Sequence, residues 1–444
     1  MTRQSFLTLL LIFITFHLSL FTYHFSLVFA QVPSPALKQT KTILLLNGTA
    51  HLGNGNVIEN SAIAFSNGKI TLAADATLIR IDKNAFDTII NVAGKHIYPG
   101  FIAPNSTLGL TEIDAVRATR DYEEVGDINP NIRSIIAYNT DSKVTSTVRS
   151  NGILMAQITP RGGLISGTSS IVELDAWNWE DAAYKPDDGM HLNWPRSNNY
   201  NWWGEDQGEV KKNEQYNEQL TAINLLFKEA KGYTASNPAE RNLRLDAMKG
   251  LFDGKLTLYI HVNDASGIMQ AVNFSKDAGV IRMVIAGGAD SWRVTGFLKE
   301  NNIPVIVKRL HSLPQNTDDD IDISYKLPAM LYKAGIKFCL ENSGDMEAMG
   351  TRNLPFYAGT AIAYGLPKEE AVKAITSSTA DILGIGNTVG AIEVGKEATI
   401  IVSSGDALDM RTNNIELAYI RGKQIDLDNH QKALYRKFRD KYNR

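Results

Sequence analysis

The chain has 444 residues, 44% of them hydrophobic and 21% charged, a globular composition with room for one large domain and a smaller one. A formal net charge of −3 argues against a basic stripe for nucleic acid and against a polybasic patch for anionic lipid, so a small-molecule substrate or a protein partner is expected and nucleic acid is not. Cys339 is the single cysteine, which excludes an internal disulfide and leaves the core alone to hold the chain.

Residues 1–30 read as a signal peptide. Arg3 precedes the apolar run Phe6 to Phe21, and Val28-Phe29-Ala30 offers small residues for cleavage, so the protein is expected to be exported, periplasmic or secreted. An uncleaved leader is the alternative and the only membrane contact expected, because the run is close to the ~20 residues that span a bilayer, although His17, Tyr23 and His24 interrupt it. Beyond a Pro-containing linker, residues 37–97 alternate β-prone runs with turns, among them the hairpin signals Asn47-Gly48 and Asn67-Gly68. The same grammar returns at 387–426, and the two segments together predict a small composite β-sandwich. Residues 427–444 read as a helical tail.

From 98 to 386 the pattern changes to strands followed by amphipathic helices, the grammar of an α/β fold with a parallel (β/α) barrel. Candidate strands are IYPGFIAP, GILMAQIT, SIVELD, LTLYIH, IRMVIAG, IPVIVKR and IKFCLE, and the fourth of a barrel's eight is hidden between Asp175 and Lys255. Helical stripes stand out at Leu220, Ile223, Phe227 and Ala230, and at Leu327, Met330, Leu331 and Ala334. The stretch 111–127 sets Asp114, Arg117 and Asp121 at helical spacing, a solvated ion-pair row from which Arg117 or Arg120 could meet an anionic substrate. Gly162-Gly163 and the following GTSS weakly suggest a phosphate turn, but the lysine of a P-loop is missing. Residues 175–213 form an aromatic-rich insertion with Trp177, Trp179, Trp194, Trp202 and Trp203. It is expected to cover a pocket or an oligomer interface, or to pack on itself.

The run Tyr98-Pro99-Gly100-Phe101-Ile102, the strand–helix alternation and the closing VGAIEVGKEATIIV resemble the amidohydrolase superfamily, in particular its imidazolonepropionase-like, composite-domain members. The resemblance spans roughly residues 40 to 425 and implies a TIM-like (β/α)8 barrel with a composite β-domain. It also implies hydrolysis of non-peptide carbon–nitrogen bonds, such as amides or cyclic amides. In that family an Asp and a His-x-His pair follow the first strand, and here Ala103, Asn105 and Thr107 stand in their place. The strand-six histidine falls on Ala286, and the strand-eight aspartate on Ser343 or, shifted by two residues, on Asp345. Only His261 matches. Of eight histidines, His17 and His24 lie in the leader, His51 and His96 in or beside the small sheet and His430 in the tail. His191, His261 and His311 are left for the barrel, too few for a binuclear centre.

The resemblance therefore implies a divergent member with at most one divalent metal, Zn or Mn, carried by His261. The catalytic candidates are His261, Asp345 and Glu341. His261 would serve as ligand or general base, steadied by Asp264 or a strand-eight carboxylate, or would persist as a relic satisfied by a hydrogen bond. Substrate contacts are assigned to Asn105, Thr107, Arg117, Asn263, Asp290, Lys308, Arg309, Asn342 and Ser343. Two functions stay open. One is an exported hydrolase with a reduced metal site. The other is a catalytically silent binding module, a homo-oligomer or a subunit partner of an active, related amidohydrolase.

Overall fold

The computed structural model describes residues 34–200, 210–236 and 240–443. The leader reading, Trp202 and Trp203 lie outside the described residues. The chain first lays down β1 (Ile43–His51), β2 (Val57–Ser66), β3 (Lys69–Asp75), β4 (Thr88–Asn91) and β5 (His96–Pro99). Asn67-Gly68 makes the expected two-residue turn between β2 and β3, both residues at positive φ. Asn47-Gly48 does not turn the chain: it is a bulge inside β1, where a side chain at 48 would meet Val92 Cγ2 at 2.9 Å.

The barrel follows as β6 (Phe101–Ser106), β7 (Ile153–Ile158), β8 (Ile165–Glu173) and β9 (Ala183–Asn193). After the surface hairpin β10 (Asn198–Tyr200) and β11 (Val210–Lys212) come β12 (Thr257–Val262), β13 (Met283–Gly287), β14 (Val305–Val307) and β15 (Phe338–Leu340). Neighbouring barrel strands pair in sequence order, and β8 alone runs antiparallel to both its neighbours. Only the six residues 159–164 join β7 to β8, too few for the crossover a parallel pair needs. That junction explains Gly162-Gly163: both have positive φ, and a side chain at 163 would strike the Asp127 backbone at 2.6 Å. The pair serves a tight reversal, and the phosphate-turn reading falls.

β9 is the hidden fourth strand, and it lies inside the segment read as an irregular insertion. Its sequence, AYKPDDGMHLN, looks like a turn, yet its last residues are buried. Gly189 is required because a Cβ there would lie 2.3 Å from the Tyr259 ring and 2.6 Å from the Thr257 carbonyl. Of the aromatics, Trp194 is buried against Phe274, while Trp177 is 66% exposed. The 111–127 stretch also departs from expectation. It is a loop with one short 3-10 turn at Arg117–Thr119, pinned by the Thr119 hydroxyl, which accepts from the Ile113 amide at 3.1 Å. No helix forms, so the ion-pair row does not exist.

Helices α1 (Lys143–Arg149), α2 (Tyr216–Ser236), α3 (Ala265–Ala278) and α4 (Ile323–Ala334) pack outside the strands, the stripes at Ile223, Phe227 and Ala230 and at Leu327 and Leu331 buried as expected. Between β15 and β6, at the ends of the pairing order, the carbonyls of Ala374 and Ile375 accept from the amides of Leu340 (3.0 Å) and Ile102 (2.9 Å). This backbone, leading into α5 (Ser377–Ile382), fills the seam of the barrel. The chain then returns as β16 (Ile400–Ser403), β17 (Ile415–Ile420) and β18 (Lys423–Gln424). With β16 antiparallel to β5, one eight-stranded sheet is completed from both ends of the chain around Ile63, Phe65, Ile97, Ile400 and Tyr419. The last element is α6 (His430–Tyr442).

Candidate active site

Side chains at the C-terminal ends of barrel strands are the ones a (β/α) barrel presents to a substrate. Asn105 is the penultimate residue of β6 and His261 of β12, His191 and Asn193 close β9, and β15 runs directly into Glu341. Asn105, His191 and Glu341 are buried and in contact with partners from other strands. Glu341 accepts from the Asn105 side-chain amide and, at 2.5 Å, from the Ser343 hydroxyl. Burial still dominates and pushes its carboxyl up to about 7, with the Arg161 charge opposing the shift.

Arg161, four residues after Gln157 and just past β7, was not among the expected site residues. Its NH1 and NH2 groups donate to the side-chain and main-chain oxygens of Asn105, both at 2.9 Å. Nε and NH2 clasp Glu347 at 3.0 and 3.1 Å, and NH1 also reaches the Pro160 carbonyl at 3.4 Å. All five guanidinium hydrogens thus face protein acceptors, so Arg161 acts on the site through its charge. That charge opposes ionisation of His191 and His261 and favours it at Glu341.

His261 Nε2 lies 2.8 Å from His191 Nδ1. Burial drives His261 down to about 3 and His191 well below the imidazole range, so both rings are neutral. His191 Nε2 is buried without a partner. A proton there would be an orphaned donor, so we assign it to Nδ1, which donates to His261 Nε2. The His191 ring stacks on Tyr259 (4.9 Å, 15°), whose hydroxyl donates to Asp188 at 2.9 Å. Asp188 also accepts from Gln157 (2.8 Å) and Ser169 (2.7 Å), and the Gln157 side-chain oxygen accepts from the Asn105 backbone N–H at 3.0 Å. A continuous polar layer therefore crosses the barrel beneath the mouth, and burial raises the Asp188 carboxyl.

The remaining expected residues disperse. Asp345 is exposed, and its backbone carbonyl accepts from Arg309 at 3.0 Å, which turns Arg309 toward the loop. Asn342 is engaged by Tyr357 and by the Glu347 carbonyl. Arg117 is exposed on its short turn. Asp290 faces Arg293 and Asn316. Asp264 caps α3 through the Gly267 amide at 2.7 Å, and so does not steady His261. Thr107 Oγ1 and Asn263 Oδ1 are buried without partners. Lys308, after β14, is half-buried. Burial and then Arg196 hold its ammonium below the usual lysine range, with Glu341 opposing.

A divalent metal does not fit this donor set. His261 Nε2 is engaged by His191, Glu341 is held by Asn105 and Ser343, and Glu347 is clasped by Arg161, whose charge would repel a cation. Among the described residues no group of three or more His, Cys, Asp or Glu could hold a metal ion. Asn105 and Glu341 had been singled out separately from the sequence. Asn105 bonds Glu341 directly, and His261 also carries a signal in the sequence; Arg161, Glu347 and His191, which complete the two contacts, carry no motif, and the count of barrel histidines is the one available hint for His191.

A family profile described as "Amidohydrolase family" matches residues 255–425. An amidohydrolase from Thermotoga maritima MSB8 shares 22% identity with a TM-score of 0.75, over 86% of this chain and 99% of that one. A prolidase complexed with N-methylphosphonate-L-proline (15%, 0.53) covers 87% of this chain and 99% of its own. The ochratoxinase of A. niger (13%, 0.52) covers 87% and 96%. The sequence matches no curated protein.

Proposed function

We propose that this chain is a member of the amidohydrolase superfamily and an exported hydrolase of non-peptide carbon–nitrogen bonds, amides or cyclic amides, whose proton transfers run through Glu341; the family match over residues 255–425 and the shared fold support this reading. The observation that carries the reading is the Glu341 carboxyl at about 7, fixed by two donors at the end of β15. An acid balanced near neutrality can take a proton from a water attacking the carbonyl carbon. It can then return that proton to the departing nitrogen, leaving a carboxylic acid and an amine. The Lys308 ammonium is the cation suited to polarise the carbonyl oxygen, since Arg161 has no hydrogen left to offer. Export rests on the leader, and the partner is a small molecule.

A second reading, binding without catalysis as a partner of an active relative, is favoured by two features: the His191 and His261 imidazoles are bonded to each other, and Arg161 is fully engaged. Purified protein assayed on a panel of amides and cyclic amides, beside Glu341→Gln and with metal content measured, separates the two. The hydrolase reading expects turnover at substoichiometric metal and its loss in the variant. No turnover on any panel member, with capture of a related barrel protein, would establish the binding reading instead.

A further inference from the structure

The tail helix α6 places Leu434, Tyr435, Phe438 and Tyr442 at 38%, 67%, 45% and 77% exposure, and none of its residues is buried. With 3.6 residues per turn these four side chains fall within about 100° of arc, a continuous apolar stripe. The remaining surface carries Lys432, Arg436, Lys437, Arg439 and Lys441, of which Arg436 pairs with Asp428 and Arg439 with Asp440, leaving Lys432, Lys437 and Lys441 without a carboxylate partner among the described residues. Whole-chain charge conceals this: the protein is net negative, while one helix concentrates five cations. Lys441 and Arg439 flank the two edges of the stripe, and Lys441 lies over the Tyr442 ring (5.3 Å), as Lys437 lies over Phe438 (5.7 Å).

The helix is held at its start only. Asn429 caps it through the Lys432 amide at 2.8 Å and donates to Ser150 at 3.1 Å, while Gln431 accepts from Thr147 on α1 at 2.8 Å. Beyond that turn the stripe has no covering element among the described residues.

We propose that α6 is a peripheral docking element that lies in the surface of an anionic lipid bilayer. Charge complementarity selects this occupant. Cations border an apolar arc on both sides, so their stems can cover hydrocarbon while their heads meet lipid phosphates, and tyrosines are suited to the same boundary. No helix among the described residues is long and apolar enough to cross a membrane, so the contact is superficial.

The test uses the whole chain, co-sedimented with vesicles of phosphatidylcholine alone and of phosphatidylcholine with phosphatidylglycerol. Binding to the anionic vesicles only, weakened by salt, is expected. Lys437→Gln with Lys441→Gln should weaken it on the order of 30-fold, at about fivefold per cation removed. Phe438→Ser with Tyr442→Ser should abolish it. These side chains touch no core, so circular dichroism and melting should match wild type in both variants. Equal pelleting with both vesicle types, or unchanged pelleting of either variant, overturns the proposal. So does a wild-type dimer that the Phe438/Tyr442 variant converts to monomer, which would assign the stripe to a second copy.

Discussion

Glu341→Gln probes the buried carboxyl most directly. An ordinary glutamate at 4.5 that reaches about 7 in the folded protein binds its proton more tightly there than in the unfolded chain. Its contribution is therefore full below pH 4.5 and is lost as pH rises through 7. At about 1.4 kcal/mol per unit, the folded state forfeits about 3 kcal/mol across that window. Glutamine cannot ionise, and its geometry is satisfiable: its oxygen can still accept from Asn105, while its amide can donate to the Ser343 hydroxyl. Urea unfolding at pH 5 and pH 8.5 should show wild type losing about 2.5 kcal/mol more than the variant between the two conditions, since pH 5 already lies above the unfolded midpoint. Parallel pH dependence in the two proteins would mean that Glu341 titrates normally, and the proton-transfer role would fall with it.

Three further perturbations reach the same layer. Arg161→Met should raise the Glu341 midpoint, since the lost charge favoured the carboxylate, and should destabilise by about 3 to 5 kcal/mol because Glu347 is left buried and unpaired; the pH dependence of unfolding reads both. Gly189→Ala should lower stability by about 2 kcal/mol or more, since the new methyl would overlap the Tyr259 ring, with thermal melting as the measure. Long-range 15N–1H NMR should find His191 protonated at Nδ1 at neutral pH; a proton at Nε2 would contradict the assigned direction of the His191–His261 bond.

The barrel was legible wherever strands carried unbroken apolar runs, as in LTLYIH or IRMVIAG. β9 escaped because its turn-like Pro186, Asp187, Asp188 and Gly189 answer tertiary demands: Asp188 anchors the interior polar layer, and Gly189 makes room for Tyr259. Register direction was equally hidden. The alternation gave β8 as a strand, but only the six-residue connection dictates that it runs backwards. For the site, the sequence exposed what was missing, an amide at Asn105 and a methyl at Ala286, both of which the fold buries.

What replaces the missing imidazoles could be found only in three dimensions, and electrostatics explains why the replacement takes this form. A carboxyl buried at the end of β15 needs either a cation nearby or a proton of its own. Arg161 supplies the first in part, yet Glu347 draws much of that charge, so Glu341 sits between the two solutions, at about 7. Asn105 bridges them, donating a side-chain N–H to Glu341 while its side-chain and backbone oxygens accept from Arg161. A histidine at 105 would offer one acceptor and one donor in an unsuitable geometry, and an aspartate would place a second anion beside Glu341. The neutral amide is thus the side chain that this guanidinium–carboxyl arrangement requires, and the substitution at 105 and the arginine at 161 are one feature of the site.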